Sequence, residues 1–539
     1  MGSADPRATE AFRHNAVARM KRIPFHLILL LIVAWAVFLR VWGLSGWPFW
    51  IDEAWIANAV TEQSFGELLR QTDDPVPPMF AVTVRWLGGL VGPPELGLRL
   101  LSVACGIANV LLTFAVLRTA RVPRSAALAA MCMAASSPLL VIWSRELKHY
   151  QVEACFSLVL ALAVMHLRWS PKRAGITGAG IALTCAAGPW FGYGFVFPAL
   201  ALLGVAIVLQ PAPGRRRASM TWGLAGFAIL LVSTLLLYRT AAAGQAAHPE
   251  LQAFTRPMFI DALSPADWMR AAGRLAKSTF AIFIPFQWIN TWEPPFQNVA
   301  YAAVAGVCGL LAAIGLWRWA GRGELDFLGW LLGTWLLILA AAIAQRYPFA
   351  QPRMTMFCAV ALIPAMAVGL VRLGQALSVA VARRGAPGIV VAILVALLPA
   401  TWMLNLPLRN QYLIHHDFPA VLEDLRARSK PGEPVLVTIM AGPNVHFYCR
   451  AQCDDYTFMP YVAGCLADHE FDYEAQARSL VAPRPTRLWI VGLQRPDFPQ
   501  TRSTYETLQQ SGYRISIVAE HGLEQGYSIA TLRRGDRGY

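Results

Sequence analysis

The sequence predicts an all-α polytopic membrane domain of about eleven transmembrane helices, followed by a small soluble α/β domain. Three observations predict it. The 539 residues are 56% hydrophobic and only 14% charged, whereas soluble globular chains carry about a quarter charged residues. Most of the first 405 residues are apolar runs of roughly 17 to 25 residues, long enough to cross a hydrocarbon layer as helices, separated by short polar breaks. Beyond residue 405 the charges nearly balance and the apolar stretches shorten.

The net charge of +14 would suggest a nucleic-acid partner if its distribution were ignored. The basic residues instead fill the breaks: Arg118, Arg121 and Arg124; Arg168, Lys172 and Arg173; Arg215, Arg216 and Arg217; and Arg383 with Arg384. This is the positive-inside pattern, which accounts for the charge without nucleic acid.

The threading follows from these breaks. Residues 1–22, with Arg13 to Arg22, hold the N-terminus in the cytoplasm. The first run, Ile23 to Val41, continues as Leu39-Arg40-Val41-Trp42 with no small-residue cleavage site, so it reads as a retained helix. The membrane domain covers 23–405, with long outer loops at 42–97 and 241–298. Helix two spans Leu98 to Leu117, helix three Ala126 to Trp143 and helix four Tyr150 to Leu167. Helix five leaves from Gly175, six returns by Leu209, and seven runs from Trp222 to Leu237. Helices eight, nine, ten and eleven end near Arg318, Ile343, Val371 and Met403. Met79 to Val91 is apolar but short, interrupted by Arg85 and bounded by prolines. It reads as an interfacial helix on the outer face, since counting it as a span would reverse the charge bias downstream. Other divisions of the apolar runs give up to about 13 spans.

Eleven crossings place 406–539 outside the cytoplasm. There Pro434 to Ile439, Arg487 to Val491, Arg514 to Val518 and Ser528 to Leu532 read as strands, and Phe418 to Ser429 and Thr504 to Gln510 as helices. Of Cys449, Cys453 and Cys465, two could pair in an oxidising compartment, Cys449 with Cys453 or Cys465; a reduced buried cysteine is the alternative. No internal repeat, Walker-type glycine loop or Cys/His metal spacing occurs.

Ionisable groups near a bilayer are costly and mark candidate sites. Asp52-Glu53 lies about ten residues past helix one, between Trp50 and Trp55. It is either a helix-start cap or a carboxylate placed as a general base. Adjacent helical residues point about 100° apart, so only one of the two faces a given substrate. Ser144-Arg145-Glu146-Leu147-Lys148-His149-Tyr150 forms the turn between helices three and four. Arg145, Lys148 and His149 form a cationic group that either anchors helix ends or binds phosphate. Arg346-Tyr347-Pro348 and Arg353, between helices nine and ten, fall on the same face, as an anchor or as part of that site. Asp73-Asp74 are weak candidates for a metal site.

At these residues the chain resembles the polyprenyl-phosphate-sugar-dependent integral-membrane glycosyltransferases of the GT-C fold, near protein O-mannosyltransferases and bacterial aminoarabinose lipid A transferases. The resemblance rests on Asp52-Glu53, Pro77-Pro78-Met79-Phe80, Glu95-Leu96-Gly97-Leu98-Arg99-Leu100, the 144–150 turn, and Tyr347-Pro348 with Arg353, over roughly residues 20 to 405. In the turn, lysine and histidine stand where the family has arginine and proline. The resemblance implies an inverting sugar transfer from a polyprenyl-phosphate donor to an envelope acceptor (glycolipid, polysaccharide or protein) at the outer face of a bacterial inner membrane. It casts Asp52 and Glu53 as catalytic, Asp52 the better candidate for the base. Arg145, Glu146, Lys148, His149, Tyr150, Arg346, Tyr347 and Arg353 become residues that bind the substrate or the donor phosphate. No cofactor is required by the sequence, and a divalent metal is possible but unsupported. The competing readings are an O-antigen ligase or polymerase, served by 241–298, and a polytopic lipid or glycan transporter. The transporter would favour inverted repeats and midplane charges.

Overall fold

The computed structural model describes residues 25–382 except 71–75, 93, 170–173, 210–212, 248–254, 281, 284–293 and 322–324. Of the C-terminal region it describes residues 418–534 except 431–432, 438–440, 450–455, 459–486, 494–505, 507, 511–512 and 522–526. The eleventh expected helix, Cys453, Cys465, Asp73 and Asp74 lie outside the described residues.

Helix α1 covers Phe25–Val41. The segment after α1 carries α2 (Ile51–Glu62), α3 (Phe65–Leu69) and α4 (Pro78–Gly88). Then come α5 (Pro94–Thr119), α6 (Arg124–Ser136), α7 (Pro138–Ser144), α8 (Tyr150–Trp169), α9 (Ala174–Phe191), α10 (Val196–Val208) and α11 (Pro213–Leu237). The segment after α11 holds α12 (Pro265–Phe280), followed by α13 (Pro294–Ala320), α14 (Leu325–Ile343) and α15 (Met356–Ala382). Among the described residues seven helices are long and apolar enough to cross a membrane, or eight if α6 and α7 count as one span. The protein is a multi-pass membrane protein, and the expected count of eleven is not reached in the described residues. Two apolar helices, Phe25–Val41 and Tyr193–Val208, are short for a span. Large apolar side chains on the bundle's outside stay exposed, among them Ile176, Leu183, Val208 and Leu336, as lipid-facing positions do. Helix α4, at 11 residues, is about 16 Å long and too short to span.

The third expected span is not one helix. α6 and α7 meet at 52°. Pro138 has no N–H, so the carbonyl of Ala134 loses its helical donor, four residues on. Arg40, fully buried in α1, replaces it: Nη2 donates to Ala134 O at 3.3 Å and Nη1 to Ala135 O at 3.1 Å. Ser137 Oγ accepts from Leu140 N and caps α7. A second buried polar link crosses the bundle. Asn109 Nδ2 on α5 donates to the backbone and side-chain oxygens of Gln151 on α8, whose Nε2 reaches Leu140 O at 2.6 Å. These bonds tie the middle of α5 to α7 and to the start of α8, next to the candidate site.

In the C-terminal region α16 (Phe418–Arg428) and α17 (Gly442–Cys449) accompany a mixed five-stranded sheet. Its strands are β1 (Val435–Val437), β2 (Tyr456–Phe458), β3 (Arg487–Leu493), β4 (Tyr513–His521) and β5 (Tyr527–Arg534), in the order β2-β1-β3-β5-β4. β1 runs parallel to β2 and β3; β5 runs antiparallel to β3 and β4. Phe418, Leu422, Val435, Val445, Trp489 and Val491 form one core between helices and sheet. The sequence reading missed α17 and β2. α17 is a short helix of mixed polarity, and β2 a three-residue strand, so neither shows a clear period. Cys449 is disulfide-bonded.

Candidate active site

Helix α2 opens with Ile51-Asp52-Glu53, and its N-terminus favours acidic groups. The two acids meet different surroundings. Glu53 points inward and is 1% exposed. Arg99, on the first turns of α5, holds it with Nε at 2.8 Å and Nη2 at 2.6 Å, and Leu147 N donates to its Oε1 at 2.6 Å. Arg99 also donates to Trp47 O at 2.7 Å and Pro48 O at 3.1 Å, and lies over the Phe49 ring. Glu53 therefore joins the segment after α1, α5 and the 145–149 turn through one buried ion pair.

Asp52 keeps a side chain 31% exposed. Its Oδ2 lies 3.4 Å from Lys148 Nζ and 3.2 Å from Arg353 Nη1. Burial alone would raise the Asp52 pKa, but the charges of Lys148 and Arg353 outweigh it and hold the carboxyl below its usual range. Three distant stretches of chain thus meet at one carboxylate oxygen.

Around this triad lie further ionisable and aromatic groups. Glu146 has a buried Oε2 without a hydrogen-bond partner among the described residues, and burial, reinforced by Glu53, pushes its pKa up to about 8. His149 is buried, packs 4.6 Å from the Tyr150 ring and faces Phe80 and Tyr193. Burial, with Lys148 and Arg353 nearby, lowers its pKa to about 3, so it is neutral at pH 7. It does not add to the cationic group expected of the turn. The described contacts of Arg145 lie toward the segment after α1. It is 1% exposed; its Nη1 donates to Leu39 O and Trp42 O, both at 2.9 Å, and it stacks on the Trp47 ring at 4.0 Å.

Tyr347 and Arg353 belong to the same side of the bundle, on the turn between α14 and α15. Tyr347 Oη donates to Met354 O at 2.8 Å, and its ring packs on Phe197. Helix α12 holds this turn: Arg274 Nε donates to Phe349 O at 3.2 Å and Ser278 Oγ to Ala350 O at 2.5 Å. Arg346 is exposed and makes no side-chain contact with the cluster among the described residues.

The sequence reading missed Glu153. It sits one turn into α8, 2% exposed, with Oε1 accepting from Gly194 N at 2.9 Å and lying 3.6 Å from His149 Nε2. Its Oε2 has no hydrogen-bond partner among the described residues. A Cβ on Gly192 would lie 1.9 Å from Glu153 Cγ, so a glycine there is what admits this carboxylate. The available signal was an acid inside an apolar span. Arg99 was noted as part of a motif, but its role required the fold. Among the described residues no group of three or more His, Cys, Asp or Glu side chains is arranged to hold a metal ion.

No protein-family model matches the sequence, and no curated protein does. Solved structures do match. ArnT from Cupriavidus metallidurans in the apo state is 13% identical, with a TM-score of 0.55 over 94% of this chain and 98% of that one. The chain has the GT-C fold. ArnT bound to undecaprenyl phosphate gives a TM-score of 0.52 over the same shares. The Archaeoglobus fulgidus oligosaccharyltransferase tethered to an acceptor peptide gives 0.52, at 13% identity, over 96% of this chain and 75% of that one. Within this GT-C fold, the group of Asp52, Lys148 and Arg353 gathers where the segment between α1 and α5 meets the ends of the bundle helices.

Proposed function

We propose that the protein is a membrane glycosyltransferase that moves a sugar from a polyprenyl-phosphate donor to an envelope acceptor at the outer face of a bacterial inner membrane. The observation that carries this reading is the partly exposed Asp52 carboxylate held between Lys148 and Arg353 in a chain of GT-C fold. The structures of relatives bound to undecaprenyl phosphate and to dolichol-phosphate support a lipid-phosphate ligand.

In this reading the acceptor oxygen attacks the anomeric carbon as the bond from that carbon to the phosphate oxygen breaks. The bonding pair leaves with the lipid phosphate, and the acceptor proton passes to Asp52. Lys148 and Arg353 take up the charge on the leaving phosphate. A carboxylate held below its usual pKa is a weak base. A donor phosphate that draws Lys148 and Arg353 toward itself weakens their hold on Asp52 and returns its basicity. Glu146, neutral at pH 7, adds no further negative charge beside the phosphate and presents an O–H donor. Arg99 and Glu53 hold the frame.

A C-terminal region outside the cytoplasm follows from crossing parity and is supported by the disulfide at Cys449, since disulfides persist in oxidising compartments. Labelling of Lys430→Cys from the outer face of intact cells tests it; labelling only after the inner membrane is permeabilised contradicts it. The activity is tested by comparing the masses of glycolipids and envelope proteins from cells carrying the intact chain or Asp52→Asn. A sugar-sized difference is expected. Identical profiles, with both chains inserted to the same level, would reject a transferase.

A further inference from the structure

Helix α17, in the C-terminal region, lies against the segment that leads into Asp52. Residues 47–50 have no regular secondary structure, so their backbone groups need partners from elsewhere. Arg99 takes the carbonyls of Trp47 and Pro48 from the bundle side. Both polar backbone groups of Phe49 go to α17: its N–H donates to Tyr448 Oη at 2.6 Å, and its C=O accepts from Asn444 Nδ2. Phe49 and Asn444 are fully buried. The Phe49 ring meets Phe447 edge-on at 5.1 Å. Farther along α2, Asn58 Nδ2 donates to Pro443 O at 2.8 Å, and Glu62 pairs with His446 at 2.7 Å.

We propose that Asn444 and Tyr448 are positioning residues for Asp52: by fixing Phe49 from the C-terminal side they set the angle at which α2 presents its carboxylate to Lys148 and Arg353. This inference rests on the function proposed above. Phe49 lies three residues before Asp52, so a change in its peptide orientation re-aims the first turn of α2. A displacement of about 1 Å at a reacting group can cost roughly a hundredfold in rate. The Arg99–Glu53 pair fixes only the inner side of this turn. Without α17, the backbone of Phe49 would have to turn to water, and the exposed Asp52 would move with it.

The test uses the intact chain with Tyr448→Phe, Asn444→Ala and the double substitution. Tyr448→Phe keeps the ring and removes only the acceptor for Phe49 N–H. Amide hydrogen exchange over residues 47–57 should quicken about tenfold in the double variant, as expected for the loss of two hydrogen bonds of ordinary net strength. Affinity for undecaprenyl phosphate, used as the probe, should stay within about twofold, because Lys148 and Arg353 are untouched. Transfer at saturating donor should fall about tenfold or more per inserted molecule, with Tyr448→Phe intermediate. Unchanged exchange over 47–57 overturns the proposal. So does faster exchange with wild-type transfer. Failure of the functional reading shows separately, as a wild-type chain that transfers no sugar; the exchange comparison then still decides whether Asn444 and Tyr448 fix this segment.

Discussion

The two ends of the helical bundle use their charges differently. At the end holding Asp52, acids and bases are mixed, mostly buried, and paired across long stretches of sequence: Glu53 with Arg99, and Asp52 with Lys148 and Arg353. At the other end, about 39 Å away along α5, arginines predominate and mostly meet neutral groups. There Arg118 donates to Val122 O in its own turn, Arg121 stacks on Trp169 and Arg124 on Phe25, and Arg372 reaches Gln375. An ion pair, Arg168 with Asp326 at 2.7 Å, ties α8 to α14 there. Charges that set orientation in a membrane need only lie on the correct side, and neutral partners suffice. Charges that perform chemistry must be held at fixed distances, and that requires partners from other elements.

The largest expected effect on stability is that of Arg99→Ala. It leaves Glu53 buried without its counter-charge and should destabilise the fold by about 3–5 kcal/mol. Thermal unfolding in detergent checks it, and a loss under about 1 kcal/mol would show that the paired end is not held by this bridge. Next, Lys148→Ala and Arg353→Ala should each weaken undecaprenyl phosphate binding roughly 10- to 100-fold, the range of a charge-assisted hydrogen bond. Equal affinity in both would move the phosphate away from Asp52.

A smaller effect separates pH behaviours. The Glu146 pKa is raised from 4.5 to about 8 on folding. Between these values the folded chain holds a proton that the unfolded chain has lost, so this residue's contribution to stability falls as pH rises from about 5 to 8. Glu146→Gln should remove that decline, leaving a flatter thermal midpoint against pH. Parallel curves for the two proteins would mean that Glu146 titrates normally. The smallest effect is expected at the other end: Arg124→Ala should change stability by less than about 0.5 kcal/mol and leave transfer unchanged, with any loss confined to insertion. A transfer defect in fully inserted Arg124→Ala would dissolve the distinction between the two ends.

Much of this contrast was legible in the sequence. Apolar runs located most of the spans, because length and hydropathy are local properties. Acidic Asp52-Glu53 and the 144–150 turn stood out as charges beside a bilayer. Which of them point together did not show. Arg145 and Lys148 are three residues apart, yet one packs into the Trp42–Trp47 corner and the other reaches Asp52. The turn is not helical, so helix spacing was the wrong guide there. The break at Ser137-Pro138 was visible as a proline, but Arg40 as the group that satisfies it comes from a helix nearly a hundred residues earlier. Glu153 was passed over as part of a span, and α17 lacked periodicity. All of these depend on contacts between distant segments, which a single sequence does not display.

The central claim is that Asp52, and not its neighbour, performs the chemistry. Single-turnover transfer by detergent-purified Asp52→Asn, using polyprenyl-phosphate sugars extracted from the native membrane, tests it most directly when paired with undecaprenyl phosphate binding on the same sample. The account predicts normal folding, retained binding, and transfer lowered by about 10² to 10⁴. Transfer within a few-fold of wild type by a well-folded Asp52→Asn would contradict it.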